Sequence, residues 1–141
     1  MKNCIFCKII NNEIPNCLIF EDDFIKAFLD LSQTTKGHTL VVPKKHVENI
    51  FEYDEELSNH FFQKIPKIAR AIKKSDTNII GMNIINNNGK VAGQTVFHSH
   101  FHLIPRYQSN DLEIILPNHE DRYDTEKLNE IANKIKRNLK D

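Results

Sequence analysis

Between Asp54 and Lys73 apolar residues recur every third or fourth position, at Leu57, Phe61, Phe62, Ile65, Ile68, Ala69 and Ile72. That period is one face of a helix, so a long amphipathic helix is predicted with Asp54 as its N-cap. Pro66 lies inside the run, and a kink or bend is expected there. Thr125–Leu139 repeats the period through Leu128, Ile131, Ile135 and Leu139, which predicts a C-terminal helix. Cys4–Asn11 predicts a short N-terminal helix that ends before Pro15. The other apolar runs are strand-length. Cys17–Glu21 and Phe24–Leu29 flank Asp22-Asp23 and read as a hairpin. Thr39–Val42, between Gly37 and Pro43, predicts a mostly buried third strand. Asn78–Ile85 predicts a fourth, closed by the turn formers Asn87-Asn88-Gly89. Val96–Tyr107 predicts a fifth. Short turns can join these strands antiparallel, so the expected class is α+β with an antiparallel sheet of about five strands. No linker or repeat interrupts the pattern, and residues 1–141 are expected to form a single domain.

Composition narrows the function. The chain carries 19 Lys+Arg against 19 Asp+Glu, a formal net charge of zero. Coating nucleic acid needs a positive field, so a nucleic-acid partner is not expected. Lys outnumbers Arg 15 to 4, which also argues against Arg-based phosphate or base readout. The start, Met1 to Cys7, lacks a signal-peptide pattern, and no apolar run is long enough to span a membrane. The three cysteines, Cys4, Cys7 and Cys17, are a poor disulfide framework, so a reducing cytoplasmic setting is expected. Cys17 reads as a buried strand cysteine.

The chemistry concentrates in Phe97-His98-Ser99-His100-Phe101-His102-Leu103-Ile104. Strand alternation would place His98, His100 and His102 on one face, with Phe97, Phe101 and Leu103 toward the core. Same-face neighbours on a strand are about 6.6 Å apart, so the three rings cannot centre on one atom without bending. His100, flanked on both sides, is best placed to serve a single reacting atom. Two readings compete. His-x-His can hold a metal with a third ligand. Alternatively, a neutral imidazole is a nucleophile that its neighbours orient. The upstream stretch from Asn87 to Thr95 favours anion chemistry. Its glycines let backbone N–H groups approach a phosphate, and Asn87, Gln94 and Thr95 add neutral donors. Cys4-x-x-Cys7 is a metal-spaced pair, a redox pair, or two small apolar residues on a helix. A structural zinc there would need two more ligands, for which His46 and His98 are candidates. His60 reads as a solvated or capping residue and His119 as loop. Lys44-Lys45 is a surface charge pair that could also draw in an anion.

Several ordered motifs together resemble the histidine triad (HIT) family. They are Cys4 to Ile10, Ala27-Phe28-Leu29-Asp30 with Leu31-Ser32, Lys36 to His46, the Asn-Gly turn, and the histidine run. The pattern is most similar to bacterial members of the nucleotide-binding branch. The resemblance implies a HIT-like fold and a covalent nucleotidyl-histidine mechanism. His100 would be the nucleophile, supported by His102 and His38, with Thr95 near the leaving group. Asn87 and Gly93 would contact phosphate, with Gln94 among the nucleotide-binding residues, and Asp30 and Leu31 would hold the ribose and base. The implied substrates are purine nucleoside phosphoramidates or related conjugates, and the implied assembly is a homodimer. Similar proteins with this Cys pair bind a structural zinc through two Cys, a separate His and the first His of the motif, here Cys4, Cys7, His46 and His98. No organic cofactor is implied. The rival expectations are a nucleotide-binding regulator without turnover, a dinucleoside polyphosphate hydrolase, and a metalloenzyme using all three histidines.

Overall fold

The computed structural model describes residues 3–139. Five strands, β1 (Leu18–Glu21), β2 (Ile25–Leu29), β3 (Thr39–Pro43), β4 (Gly81–Asn86) and β5 (Phe101–Arg106), form one sheet in the order β1-β2-β3-β5-β4. Every pairing is antiparallel. Three helices accompany it: α1 (Ile5–Ile10), α2 (Glu55–Ser75) and α3 (Thr125–Lys136). This is the expected α+β architecture. Asp22 makes the first hairpin, because its Oδ1 accepts the N–H groups of both Phe24 and Ile25.

β2 and β3 are buried on both faces, and alternation explains how. Ile25, Ala27 and Val41 point to the side of α2, where Leu57, Phe61, Ile65, Ile68 and Ile72 form its apolar stripe. Phe28, Leu40 and Val42 point to the other side and meet Phe6 and Ile9 of α1. Asp54 caps α2 by accepting the Leu57 N–H at 2.8 Å. Each buried apolar side chain of α2 contributes about 1.5–3 kcal/mol, which anchors this helix far more firmly than its propensity does.

Several expectations are corrected. β5 begins at Phe101, not Val96, because the Ser99 N–H turns away to the Val47 carbonyl. Phe97 is 43% exposed instead of facing the core. β4 begins at Gly81, because Asp76 holds the preceding Asn78 and Ile79 in a turn. Pro66 lies inside α2, where the sequence places it, and the helix is continuous across it. α3 stops at Lys136, and its Leu128, Ile131 and Ile135 are exposed, so this stripe covers no core of its own chain. Cys17 is exposed, not buried. His60 is exposed, as expected of a solvated residue, and also lies flat on Phe24, with ring centroids 3.8 Å apart.

Candidate active site

His100 sits immediately before β5, where the chain passes from a loop into the sheet. Its backbone carbonyl accepts from Asn86 Nδ2 at 3.0 Å, which ties it to the end of β4. Its ring Nδ1 lies 2.8 Å from the His98 carbonyl. A carbonyl only accepts, so Nδ1 carries the proton and Nε2 keeps its lone pair. Burial pushes the His100 pKa below its ordinary value, against the opposing pull of the His98 carbonyl and the Asp30 charge. The neutral, nucleophilic form is therefore favoured at neutral pH.

The supporting histidines form a second unit. His38 Nε2 lies 2.9 Å from His102 Nδ1 and 3.5 Å from Asp30 Oδ2. The His102 ring stands edge-on to His100, with centroids 5.1 Å apart. Burial, then mutual repulsion with His100 and His38, pushes His102 down to about 4. Burial also lowers His38, opposed by Asp30. Burial would raise Asp30, but the Ser32 hydroxyl and N–H and the adjacent His38 outweigh it and leave the carboxyl below its usual range.

The loop before the histidines is shaped by its glycines. Gly89 and Gly93 have φ of +94° and +96°, which side-chain-bearing residues rarely adopt. Asn87 packs directly over Gly93, where an added Cβ would sit 3.7 Å from Asn87 Cγ. The expected phosphate contacts Asn87 and Gly93 are thus brought together. Gln94 is different. It is buried, its Nε2 donates to the Glu48 and Val96 carbonyls, and its Oε1 accepts from Gly89 N–H. Both amide hydrogens have protein acceptors, so Gln94 closes the loop instead of offering a side-chain donor to a ligand. Thr95 stands exposed on the rim of an open groove that also includes Ile5, Glu48 and Phe97.

A separate cavity of about 220 Å³ lies between α1 and β2, lined by Ile5, Phe6, Ile9, Phe28, Asp30 and Leu31, among others. Phe6 links it to His100, with the two ring centroids 5.0 Å apart. Leu31 is 87% exposed at its mouth.

The first histidine of the run turns the other way. His98 is fully buried, and its Nε2–H donates to the Pro43 carbonyl at 2.8 Å. Its Nδ1 lone pair then faces Cys4 Sγ at 3.3 Å, Cys7 Sγ at 3.5 Å and His46 Nδ1 at 3.1 Å. Cys7 Sγ is 3.4 Å from His46 Nδ1. These four ligand atoms lie within 4.8 Å of one another, a cluster that could hold a metal ion. The three histidines therefore do not converge on one centre. His98 belongs to the cysteines, His102 to His38, and His100 stands between them, which removes the reading in which all three bind one metal.

The HIT domain family model matches residues 11–109. The chain belongs to the HIT family. Protein hit of Bacillus subtilis (strain 168) is 50% identical over 139 residues, covering 98% of this chain and 95% of that protein. A crystal structure of a HIT family member from Bacillus subtilis has a TM-score of 0.94 at 48% identity and covers 99% of each chain. Adenosine 5'-monophosphoramidase of Saccharomyces cerevisiae is 42% identical over 103 residues, covering 73% of this chain and 62% of that protein.

In this HIT protein the roles of four contributors were not read from the sequence, although Phe6 and Pro43 lie within its motifs: Phe6, and three backbone or amide partners, Thr34 N, Pro43 O and Asn86 Nδ2. Phe6 had a signal, because it lies between Cys4 and Cys7 and any metal joining them to His98 would bring it to the histidines. The other three act through groups that their residue types do not advertise.

Proposed function

We propose that this protein hydrolyses purine nucleoside phosphoramidates or closely related nucleotide conjugates through a covalent intermediate on His100. The observation that carries this reading is the His100 tautomer: Nδ1–H is held by the His98 carbonyl and Nε2 keeps its lone pair, in a ring packed against Phe6 of the apolar cavity wall. Attack of Nε2 on the α-phosphorus forms a P–N bond and breaks the bond to the leaving amine, which departs as the neutral amine after taking a proton from solvent water. Positive charge left on the imidazole is stabilised through Nδ1–H by the His98 carbonyl. Water then attacks phosphorus, the P–Nε2 bond breaks, and a nucleoside monophosphate leaves. Dividing the substitution in two lowers each barrier. His102 donates to a phosphoryl oxygen, His38 orients His102, and Asn87 and the Gly93 backbone hold the phosphate. Gln94 fixes that loop, Asp30 and Leu31 hold the ribose and base, and Thr95 lies on the leaving-group side. The relative named as an adenosine 5'-monophosphoramidase supports the substrate class.

The Cys4, Cys7, His46 and His98 cluster fits zinc. Bond lengths of about 2.0–2.3 Å imply tetrahedral ligand separations of about 3.3–3.8 Å; four of the six ligand pairs lie at 3.1–3.5 Å and all six within 4.8 Å. Such an ion would act structurally, cross-linking α1 to the histidine loop. Thiol ligands require a reducing compartment, which supports a cytoplasmic setting. A homodimer is supported by the open outer edge of β4 and by the exposed apolar residues of α3 and Ile114-Ile115-Leu116. Among the described residues no helix is long and apolar enough to cross a membrane.

The deciding experiment is a rapid acid-free quench followed by peptide mass analysis. A gain of one nucleoside monophosphate on the His100 peptide is expected. His100→Ala should abolish turnover while still binding nucleotide; an unchanged hydrolysis rate in that variant overturns the proposal.

A further inference from the structure

The cavity between α1 and β2 is walled almost entirely by apolar side chains. Among its described lining residues, two carry polar side chains, Asp30 and Asn16. Asp30 is engaged with Ser32 and His38. Asn16 is not committed in the same way. It is half-buried, follows Pro15 in the stretch leading to β1, and its Nδ2 reaches the Ile14 carbonyl only at 3.5 Å. That distance marks a weak hydrogen bond, so the amide gives up little by turning to a ligand.

We infer that Asn16 reads the base and makes this site select adenine. This rests on the nucleotide reading above and adds a specificity residue to it. A base entering an apolar cavity must have its polar edge satisfied, because an unpaired buried donor or acceptor opposes binding. A primary amide presents one acceptor and one donor side by side. Adenine answers that pair on both edges at C6, with N6–H beside N7 or beside N1. At C6 guanine answers it on one edge only, with N1–H beside O6. Its other edge presents O6 and N7, two acceptors, and the amide matches one. A purine presented by its C6 side therefore pairs with Asn16 through either edge if it is adenine, and through one edge if it is guanine.

The charge-changing variant separates the bases further. Asn16→Asp replaces the amide with two acceptors. It repels adenine N1 or N7 and accepts guanine N1–H and N2–H together. Asn16→Leu removes base reading while keeping the cavity wall.

The test compares kcat/KM for adenosine and guanosine 5'-phosphoramidates in wild-type, Asn16→Asp and Asn16→Leu proteins, with AMP and GMP dissociation constants measured on each. Wild type should prefer adenine. Asn16→Asp should move the adenine-to-guanine ratio toward guanine by about tenfold, the scale of one lost bidentate pair. Asn16→Leu should bring the ratio close to one. A shift under twofold in Asn16→Asp, a shift toward adenine, or a wild type that prefers guanine overturns the assignment while leaving the hydrolase reading intact. Wild-type protein that binds neither AMP nor GMP overturns both.

Discussion

His38 Nε2 lies 2.9 Å from His102 Nδ1, and the direction of that hydrogen bond is fixed from behind. The Thr34 backbone N–H donates to His38 Nδ1 at 3.1 Å. Nδ1 must then be an acceptor, so the His38 proton is on Nε2 and points at His102. His102 Nδ1 accepts it, which places the remaining His102 proton on its own Nε2. One backbone N–H thus sets two tautomers in series, and in the proposed reaction the last N–H is the one that donates to a phosphoryl oxygen.

Breaking that series should impair catalysis more than nucleotide binding. His38→Phe keeps a planar ring but leaves His102 Nδ1 without its donor. A buried acceptor without a partner costs about 1–3 kcal/mol in stability, and kcat should fall by at least about tenfold. His38→Gln carries an N–H at comparable reach and should recover part of the rate. Steady-state kinetics and thermal melts on both variants check this. Equal kcat in the Phe and Gln variants would show that the donor is immaterial.

Acid should weaken the fold before carboxylates titrate. His102 is held down to about 4 and His38 below its ordinary value, chiefly by burial. An unfolded histidine titrates near ~6.5, so between about pH 6.5 and 4 the unfolded chain binds protons that the native chain refuses. Stability is therefore full above that window and is lost as pH falls through it. Asp30, whose carboxyl is lowered, adds its loss only below the window. A fully sheltered shift of this size would be worth about 3 kcal/mol; the partly exposed His102 leaves on the order of 1 kcal/mol. Urea midpoints from pH 7.5 to 4.5 should drop, and drop less in His102→Asn. Parallel curves would refute the assignment to His102.

Much of this was readable in the chain. Asp54, the α2 stripe and the Asp22 hairpin follow local rules of capping and period, so they appear where expected. The histidine run was legible as chemistry but not as shape. Alternation predicts a common face only inside a strand, and the strand starts after His100. The divergence of His98 toward Cys4 and of His102 toward His38 depends on contacts 94 and 64 residues apart in sequence, which no local pattern encodes. Gln94 illustrates the same limit, since its residue type offers donors and only the folded loop shows them spent. Leu128, Ile131 and Ile135 were legible as a helix face, yet their periodicity says nothing about which chain they cover.

That face gives the oligomer prediction. A second copy that pairs along β4 and covers α3 would bury side chains now 44–60% exposed. The wild-type protein should sediment as a dimer at micromolar concentration. Ile131→Asp should shift it to monomer while preserving far-ultraviolet dichroism. A wild-type monomer at that concentration would rule out the homodimer.

Protein purified without chelator should carry about one zinc per chain. Cys4→Ser removes one of two thiolates and should release it, lowering Tm by about 10 °C if the ion contributes a few kcal/mol to this small domain. Metal analysis with calorimetry tests this. Wild-type protein with under a tenth of an equivalent of zinc, or an unshifted Cys4→Ser melt, would count against the site.

Lys26 secures the same helix from the other end. It is 1% exposed, on the β2 face that α1 covers. Its ammonium donates at 2.9 Å to the Ile9 carbonyl, near the end of α1, and at 2.9 Å to Asn12 Oδ1. A cation there complements the negative end of the helix, and it holds Asn12 at a left-handed φ of 60°. Lys26→Met keeps the length and apolar stem but withdraws both donors. The Ile9 carbonyl retains the Asn12 N–H, and the exposed Asn12 loses its charge-assisted hydrogen bond and turns to water. The cost should be about 1–3 kcal/mol, felt locally. Amide exchange at Lys8 to Asn11 should accelerate in Lys26→Met while exchange in α2 stays as in wild type. Equal acceleration in both helices would assign Lys26 to the global core instead of to the anchoring of α1.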